Sequence, residues 1–192
     1  LFLVAYLFFN DGIQTVISSA SLYGQEELGF GESQLITTVL LVQFVAFGGA
    51  LLFGRLAARL GAKRVILGGL VLWTVVVIIA FFMPEQQFGL WLVLGVGIGI
   101  VLGGTQALAR SLFSQLIPRG REGEFFSLYQ AMERGTSWFG ALIFGLVYQL
   151  AGSYRLSIIA LVLFFVVGGV LLARCDIREG IRQAGNPMPS VV

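Results

Sequence analysis

Apolar residues fill this chain in six long stretches that contain few charged residues. The hydrocarbon core of a bilayer is about 30 Å thick and needs roughly 20 apolar residues in a helix, so each stretch is long enough to cross it. The pattern predicts membrane-spanning helices at about residues 1–24, 34–57, 64–83, 88–110, 125–150 and 154–174. The apolar runs are continuous, which excludes an outer-membrane barrel, whose strands alternate polar and apolar residues.

The composition is typical of a membrane protein. Hydrophobic residues make up 57% of the chain and charged residues 11%, whereas a soluble domain carries about 25% charged residues. We therefore expect an all-α polytopic membrane protein whose residues 1–174 form one six-helix bundle. Residues 175–192 contain glycine, asparagine and proline near their end, and they are expected to form a disordered cytoplasmic tail.

The positions of the basic residues predict the topology. Eleven of the twelve lysines and arginines lie at or near alternate connections and the tail, and only Arg155 falls on the other side. Basic loops stay in the cytoplasm, so both ends of the six-helix segment are expected there. Because the basicity follows the topology, it does not indicate nucleic-acid binding.

Several classes of site are not expected from this sequence. The chain has one cysteine, Cys175, and no histidine, so it offers neither an intrachain disulfide nor a histidine metal site. It shows no nucleophile–base pair, Walker loop or dinucleotide motif, and we expect neither an enzyme nor a cofactor. The chain begins at Leu1 inside an apolar run, so we expect it to be a piece of a longer protein.

The first span carries the most informative polar residues. Asn10, Gln14 and Ser18 follow one another at helical spacing and share a stripe, and Asp11 lies on the neighbouring stripe. A carboxylate at this depth is costly and usually functional. Two interpretations stay open: a wall that faces a solute or carries a coupling ion, and a hydrogen-bonded seam between helices.

Polar residues in two later spans are the other candidates for this site. Gln106 lies in the cytoplasmic half of the fourth span, where an amide can either contact a solute or bond a neighbouring helix. Arg134 lies about nine residues into the fifth span and shares a helix face with Trp138. We expect Arg134 to face a cavity, with an interfacial charge held by a nearby glutamate or lipid phosphate as the alternative.

Glycines in the fourth span follow a second pattern. Gly95, Gly99 and Gly103 recur every four residues. Small residues at this spacing let two helix backbones approach closely, so the pattern predicts a tight contact between this face and another helix.

The connection after the second span resembles the signature loop of the major facilitator superfamily, roughly G-x-L-a-D-r-x-G-r-k. The chain reads GRLAARLGAKRVI here, and the matching positions include Gly54, Arg59, Gly61 and Lys63. Ala58 replaces the aspartate of the family pattern. This weakened form resembles the second occurrence of the loop, which implies the C-terminal half of a twelve-helix transporter. The resemblance implies that this segment, which includes Arg64, acts in gating.

Longer stretches resemble the vacuolar amino-acid effluxer branch of that superfamily, which includes autophagy-related proteins and bacterial homologues. These stretches are YLFFNDGIQTVISSASLYGQEELG and GGTQALARSLFSQLIP. The resemblance covers residues 1–174 and implies secondary transport of a small solute, with amino acids as candidates. Besides the lipid bilayer and the solute, it implies one further partner, which is either an N-terminal six-helix half or a second copy of this half.

Two functions from different classes remain open at this point. The first is a transporter half in a plasma membrane, which the resemblance suggests is bacterial. The second is a non-transporting membrane module that serves as an assembly, receptor or lipid-contacting subunit.

Overall fold

The computed structural model describes residues 1–135 and 138–189. Within these ranges the chain folds into helices joined by short connections. The helices are α1 (Phe2–Glu26), α2 (Glu32–Leu60), α3 (Ala62–Phe81), α4 (Phe88–Gln115), α5 (Glu122–Gly135), α6 (Trp138–Ala151), α7 (Tyr154–Ala160), α8 (Val162–Arg174) and α9 (Ile177–Gln183).

The expected fold class is confirmed, because the chain is an all-α polytopic membrane protein. Four helical segments of the described part are long and apolar enough to cross a membrane: Glu32–Leu60, Ala62–Phe81, Phe88–Gln115 and Tyr154–Arg174. Helix α1 falls outside this set because its polar residues lower its hydropathy. Helices α5 and α6 flank residues 136 and 137, which lie outside the described part. The count of six spans therefore stays a prediction.

Helices α2 and α4 pack against each other through the predicted glycine face. A Cβ atom added at Gly99 would lie 2.8 Å from the carbonyl oxygen of Val42, and one at Gly95 would lie 3.3 Å from Thr38. At Gly103 the added atom would overlap the backbone of Ala46. The prediction of a close helix contact is confirmed, and its partner is α2.

Helix α1 lies at the centre of the bundle against α8. Gly168 of α8 allows this approach, because a Cβ atom there would lie 2.8 Å from that of Phe9. Gly12 of α1 also allows this approach, because a Cβ atom there would lie 2.8 Å from Phe164. The polar residues near the middle of α1 are therefore surrounded by other helices, as membrane burial of polar groups requires.

The signature segment is helical, so the expectation of a loop between residues 54 and 66 is wrong. Helix α2 continues to Leu60 and α3 begins at Ala62, which leaves Gly61 as the only connecting residue. The segment is rich in leucine, alanine and arginine, which favour helix. Gly61 turns the chain with φ at 90°, a conformation that glycine adopts without strain.

The expected disorder of the tail is wrong for residues 177–183, which form α9. Asp176 caps this helix by accepting a hydrogen bond from the amide of Glu179 at 3.1 Å. Ile177 and Ile181 share one face and are buried. Asn186 then donates from Nδ2 to the carbonyl oxygens of Gln115 and Ile117 at 2.9 and 2.7 Å.

The opposite end of the bundle is held by Arg155. Its Nε lies 2.7 Å from Oε1 of Glu27, and its Nη1 donates to the carbonyl of Phe81 at 3.0 Å. Nearby, the Tyr23 hydroxyl donates to the carbonyl of Ala80 at 2.6 Å. These bonds join the ends of α1 and α3 to the start of α7.

Candidate functional site

An open cavity of about 590 Å³ lies where α1, α4 and α5 meet. Every side chain that lines it is polar or charged: Gln14, Ser18, Arg110, Gln130, Glu133 and Arg134. A polar cavity beside apolar spanning helices is unusual, because polar groups there must face protein or water.

An ion pair crosses this cavity between α4 and α5. Nη2 of Arg110 lies 3.4 Å from both carboxylate oxygens of Glu133. The arginine side chain is 58% exposed and the glutamate 19%. Both charges therefore remain accessible from the open cavity.

Aromatic rings form the floor beneath this ion pair. The guanidinium carbon of Arg110 lies 6.0 Å from the ring centroid of Tyr129, at the limit of a cation–π contact. The Tyr129 ring is fully buried and stacks on Tyr6 and Phe113, with centroids 4.3 and 4.9 Å away. The Tyr129 ring is therefore held in place by its aromatic neighbours.

Two polar residues of α1 bind neighbouring helices instead of lining the cavity. The Gln106 side chain donates from Nε2 to Oδ1 of Asn10 at 3.0 Å, which joins α4 to α1. The backbone amide of Gly140 donates to Oδ2 of Asp11 at 2.8 Å, which joins α6 to α1. These two bonds orient α1 so that its Gln14–Ser18 face meets the cavity.

Asp11, the acidic residue of the predicted site, is buried, with 1% of its surface exposed. Its Oδ1 has no hydrogen-bond partner within the described ranges. The Thr15 hydroxyl donates to the Asp11 carbonyl at 2.8 Å and not to the carboxylate. One carboxylate oxygen therefore lacks the compensation that a buried charge needs.

The structure brings together three of the predicted site residues at the cavity: Gln14, Ser18 and Arg134. Asn10, Asp11 and Gln106 lie beside the cavity, where their side chains form hydrogen bonds between helices. Trp138 is 62% exposed at the start of α6 and does not line this cavity. The roles of these residues stay predictions.

Three lining residues were not among the sequence candidates: Arg110, Gln130 and Glu133. The spacing did contain a signal, because Arg110 follows Gln106 by four positions and shares its helix face. Gln130 likewise shares a face with Arg134. Arg110 and Glu133 lie in different helices, so helical spacing could not predict their ion pair. Only the folded structure shows it.

The predicted gating residues lie at one end of the bundle. Lys63 donates from Nζ to the carbonyls of Ala173 and Cys175 at 2.9 and 2.7 Å, at the end of α8. A cation at a helix C-terminus satisfies carbonyls that have no partner within the helix. Gly54, Arg59 and Arg64 are exposed around the Gly61 connection.

Comparison with known proteins decides the family. Residues 1–185 match the model of the family described as vacuole effluxer Atg22 like. This chain belongs to that family. The expected superfamily and branch are confirmed by this match.

Two relatives illustrate the range of the family. An uncharacterized MFS-type transporter of Bacillus subtilis is 35% identical over 191 residues, which cover 98% of this chain and 44% of the relative. Autophagy-related protein 22 of Kluyveromyces lactis is 32% identical over 195 residues, covering 96% of this chain and 39% of the relative. The chain thus spans less than half the length of the relatives it matches. The name of the Bacillus subtilis relative describes a transporter and the family description an effluxer, and neither describes an enzyme.

Proposed function

We propose that this chain is the C-terminal six-helix half of a secondary transporter that moves a small solute by alternating access. The observation that carries the proposal is the polar cavity formed by α1, α4 and α5 inside an apolar bundle. Transporter sites lie near the bilayer midplane between two halves, where polar groups face water or solute. Membership of an effluxer family supports the same reading.

Amino acids are the candidate solutes because the cavity carries both signs of charge. Arg110 and Arg134 offer guanidinium groups, and Glu133 offers a carboxylate. A guanidinium binds a carboxylate through a planar pair of N–H groups. The α-carboxylate and α-ammonium of an amino acid therefore have complementary partners in one cavity. We assign the negative partner to Glu133 instead of Asp11, since Asp11 is buried against Gly140.

Asp11 suits a coupling role better than direct solute binding. Its Oδ1 lacks a partner in the described part of the chain, while Oδ2 holds the amide of Gly140. Gain or loss of a proton there would change the contact between α1 and α6 directly. Such a change can bias which face of the cavity opens.

We assign the Gly61 connection to the cytoplasmic gate. Gly61 is the one residue between α2 and α3, and Lys63 ties the start of α3 to the end of α8. Rocking of α2 would be transmitted through this short link. Neutralising Lys63 and Arg64 together should change the transport rate more than solute affinity, because neither residue lines the solute cavity.

A second helical bundle is expected to cover α2. This helix exposes Phe44 to 80% and Phe47 to 71% along one apolar face. An N-terminal half of the same transporter is the partner we favour, with a second copy of this half as the alternative. In this arrangement the chain is an integral membrane protein of a plasma membrane, with both ends of the described segment in the cytoplasm.

The test is transport of labelled amino acids by the full-length protein in proteoliposomes. Arg134→Gln should reduce uptake at low solute concentration and raise the concentration needed for half-maximal rate. Arg119→Gln is the matched control, because Arg119 is exposed and does not line the cavity. Equal uptake by wild type and Arg134→Gln would overturn the assignment of the site.

A complete lack of transport would have a different meaning. If the protein binds amino acids but moves none across the vesicle membrane, the chain belongs to a non-transporting receptor module. If it moves another solute but no amino acid, transport stands and the solute class is wrong.

A further inference from the structure

A second open cavity, of about 620 Å³, lies where α3 begins and α8 ends. It is separate from the solute cavity and shares no lining residue with it. Four of its lining side chains are cationic: Lys63, Arg64, Arg174 and Arg178. Asp176 is the one acidic side chain in the lining.

The lining of this cavity carries more positive than negative charge, with four cationic side chains and one carboxylate. Asp176 uses Oδ1 to cap α9, and Lys63 donates to two backbone carbonyls. Arg64, Arg174 and Arg178 form no salt bridge with any described residue. All three are exposed. Three guanidinium groups therefore gather around a recess that can hold an anion.

The exposed apolar face of α8 leads directly to this cavity. Leu163, Val166 and Val170 are exposed and lie at helical spacing, and Arg174 follows four positions after Val170. A hydrocarbon chain that lies along this face would end beside the guanidinium of Arg174.

Helix α3 presents a matching face beside α8. Val71 and Val75 are exposed, and Arg64 lies seven positions before Val71 on the same side. The two helices touch, as Leu70 lies 3.7 Å from the Cβ position of Gly169. Two apolar faces therefore reach one cationic cavity, each with an arginine at its end.

From this arrangement we infer that the cavity binds the phosphate headgroup of an acidic membrane lipid. Guanidinium groups pair with phosphate oxygens through parallel N–H donors. Basic recesses between spanning helices suit such headgroups. A free phosphate ion would use the same donors, but it would leave both apolar faces unused. The inference does not depend on which solute the protein carries.

The experiment measures lipid retention by purified full-length protein with native mass spectrometry and with a fluorescent phosphatidylglycerol. Wild type should retain phosphatidylglycerol in preference to phosphatidylcholine. The double variant Arg64→Gln/Arg174→Gln should bind phosphatidylglycerol about tenfold more weakly, since each cation near an acidic headgroup adds to the attraction. Lys63 is left unchanged because its bonds hold the end of α8.

The matched control removes the same number of charges at the same end of the bundle. Arg55→Gln/Arg119→Gln changes two exposed arginines that do not line the cavity, and it should bind the lipid as wild type does. An equal loss of lipid binding in both double variants would overturn the site, because it would show that the lipid is attracted by the basic surface in general. Displacement of the lipid by millimolar inorganic phosphate would overturn the lipid assignment and identify the free ion as the ligand.

Discussion

The Asp11 carboxylate of α1 accepts a hydrogen bond from the backbone amide of Gly140, with 2.8 Å between Oδ2 and the nitrogen. Gly140 lies in α6, so this bond joins two helices that are far apart in the sequence. A Cβ atom at Gly140 would overlap the Thr15 hydroxyl, so glycine is needed for this approach. The acidic residue thus holds two helices of the bundle together.

Replacing Asp11 should separate this structural role from a coupling role. Asp11→Asn keeps an acceptor oxygen for Gly140 but removes the charge, so the protein should remain nearly as stable. Asp11→Ala removes the acceptor that the Gly140 amide uses and should cost about 1–3 kcal/mol. Both variants should lose amino-acid transport. Thermal unfolding in detergent and uptake into proteoliposomes are the two measurements.

The two variants have distinct meanings if they behave otherwise. Normal transport by Asp11→Asn, with a destabilised Asp11→Ala, would restrict Asp11 to holding the start of α6. Equal stability of both variants would argue against the hydrogen bond itself.

Adjacent glycines in α2 should respond in opposite ways to alanine. A Cβ atom at Gly49 would lie 2.6 Å from the Cα of Ile100, whereas one at Gly48 would meet nothing within 4 Å. Gly49→Ala should therefore destabilise the protein by about 1–3 kcal/mol through overpacking. Gly48→Ala should be neutral or stabilise it by up to roughly 1 kcal/mol, because alanine favours helix. Thermal unfolding of the two variants checks this, and similar melting temperatures would be incompatible with the packing of α2 on α4.

The sequence predicted most of the helical segments and the glycine contact, because both follow from local spacing. It also identified the polar stripe of α1, because the helical period places residues three or four positions apart on one face. It did not predict that Asp11 would bond Gly140, 129 positions away. The direction in which a stripe faces depends on how three helices pack, and one helix carries no such signal. Asn186 likewise binds carbonyls near the end of α4, which no local pattern indicates.

The docked tail should protect Cys175 from alkylation. Its thiol is buried beside α9, and burial raises the pKa of the Cys175 thiol. Only the thiolate reacts, so iodoacetamide should modify the native protein much more slowly than the urea-unfolded protein at the same pH. Ile181→Asp places a charge in the buried contact of α9 and should speed the reaction, whereas the exposed Arg182→Gln should not. Equal rates for native and unfolded protein would contradict docking of the tail.

The ion pair of Arg110 and Glu133 should matter more for transport than for folding. Both side chains are partly exposed and their atoms are 3.4 Å apart, and such pairs contribute about 0.2–1 kcal/mol to stability. A double-mutant cycle with Arg110→Gln and Glu133→Gln should therefore give a coupling free energy of unfolding below about 1 kcal/mol. Each single variant should nevertheless raise the half-saturating concentration of amino acid, because a charged end of the solute loses its partner.

Exchanging the two charges distinguishes a solute site from a structural pair. In Arg110→Glu/Glu133→Arg the attraction between α4 and α5 is kept, so the protein should unfold near the wild-type temperature. The positions of the positive and negative groups are reversed over the Tyr129 ring, however, and a bound amino acid would meet like charges at both ends. Transport should therefore stay impaired in a variant whose stability is restored. Recovery of both stability and transport would show that only the link between the helices matters, and the cavity would then need another solute.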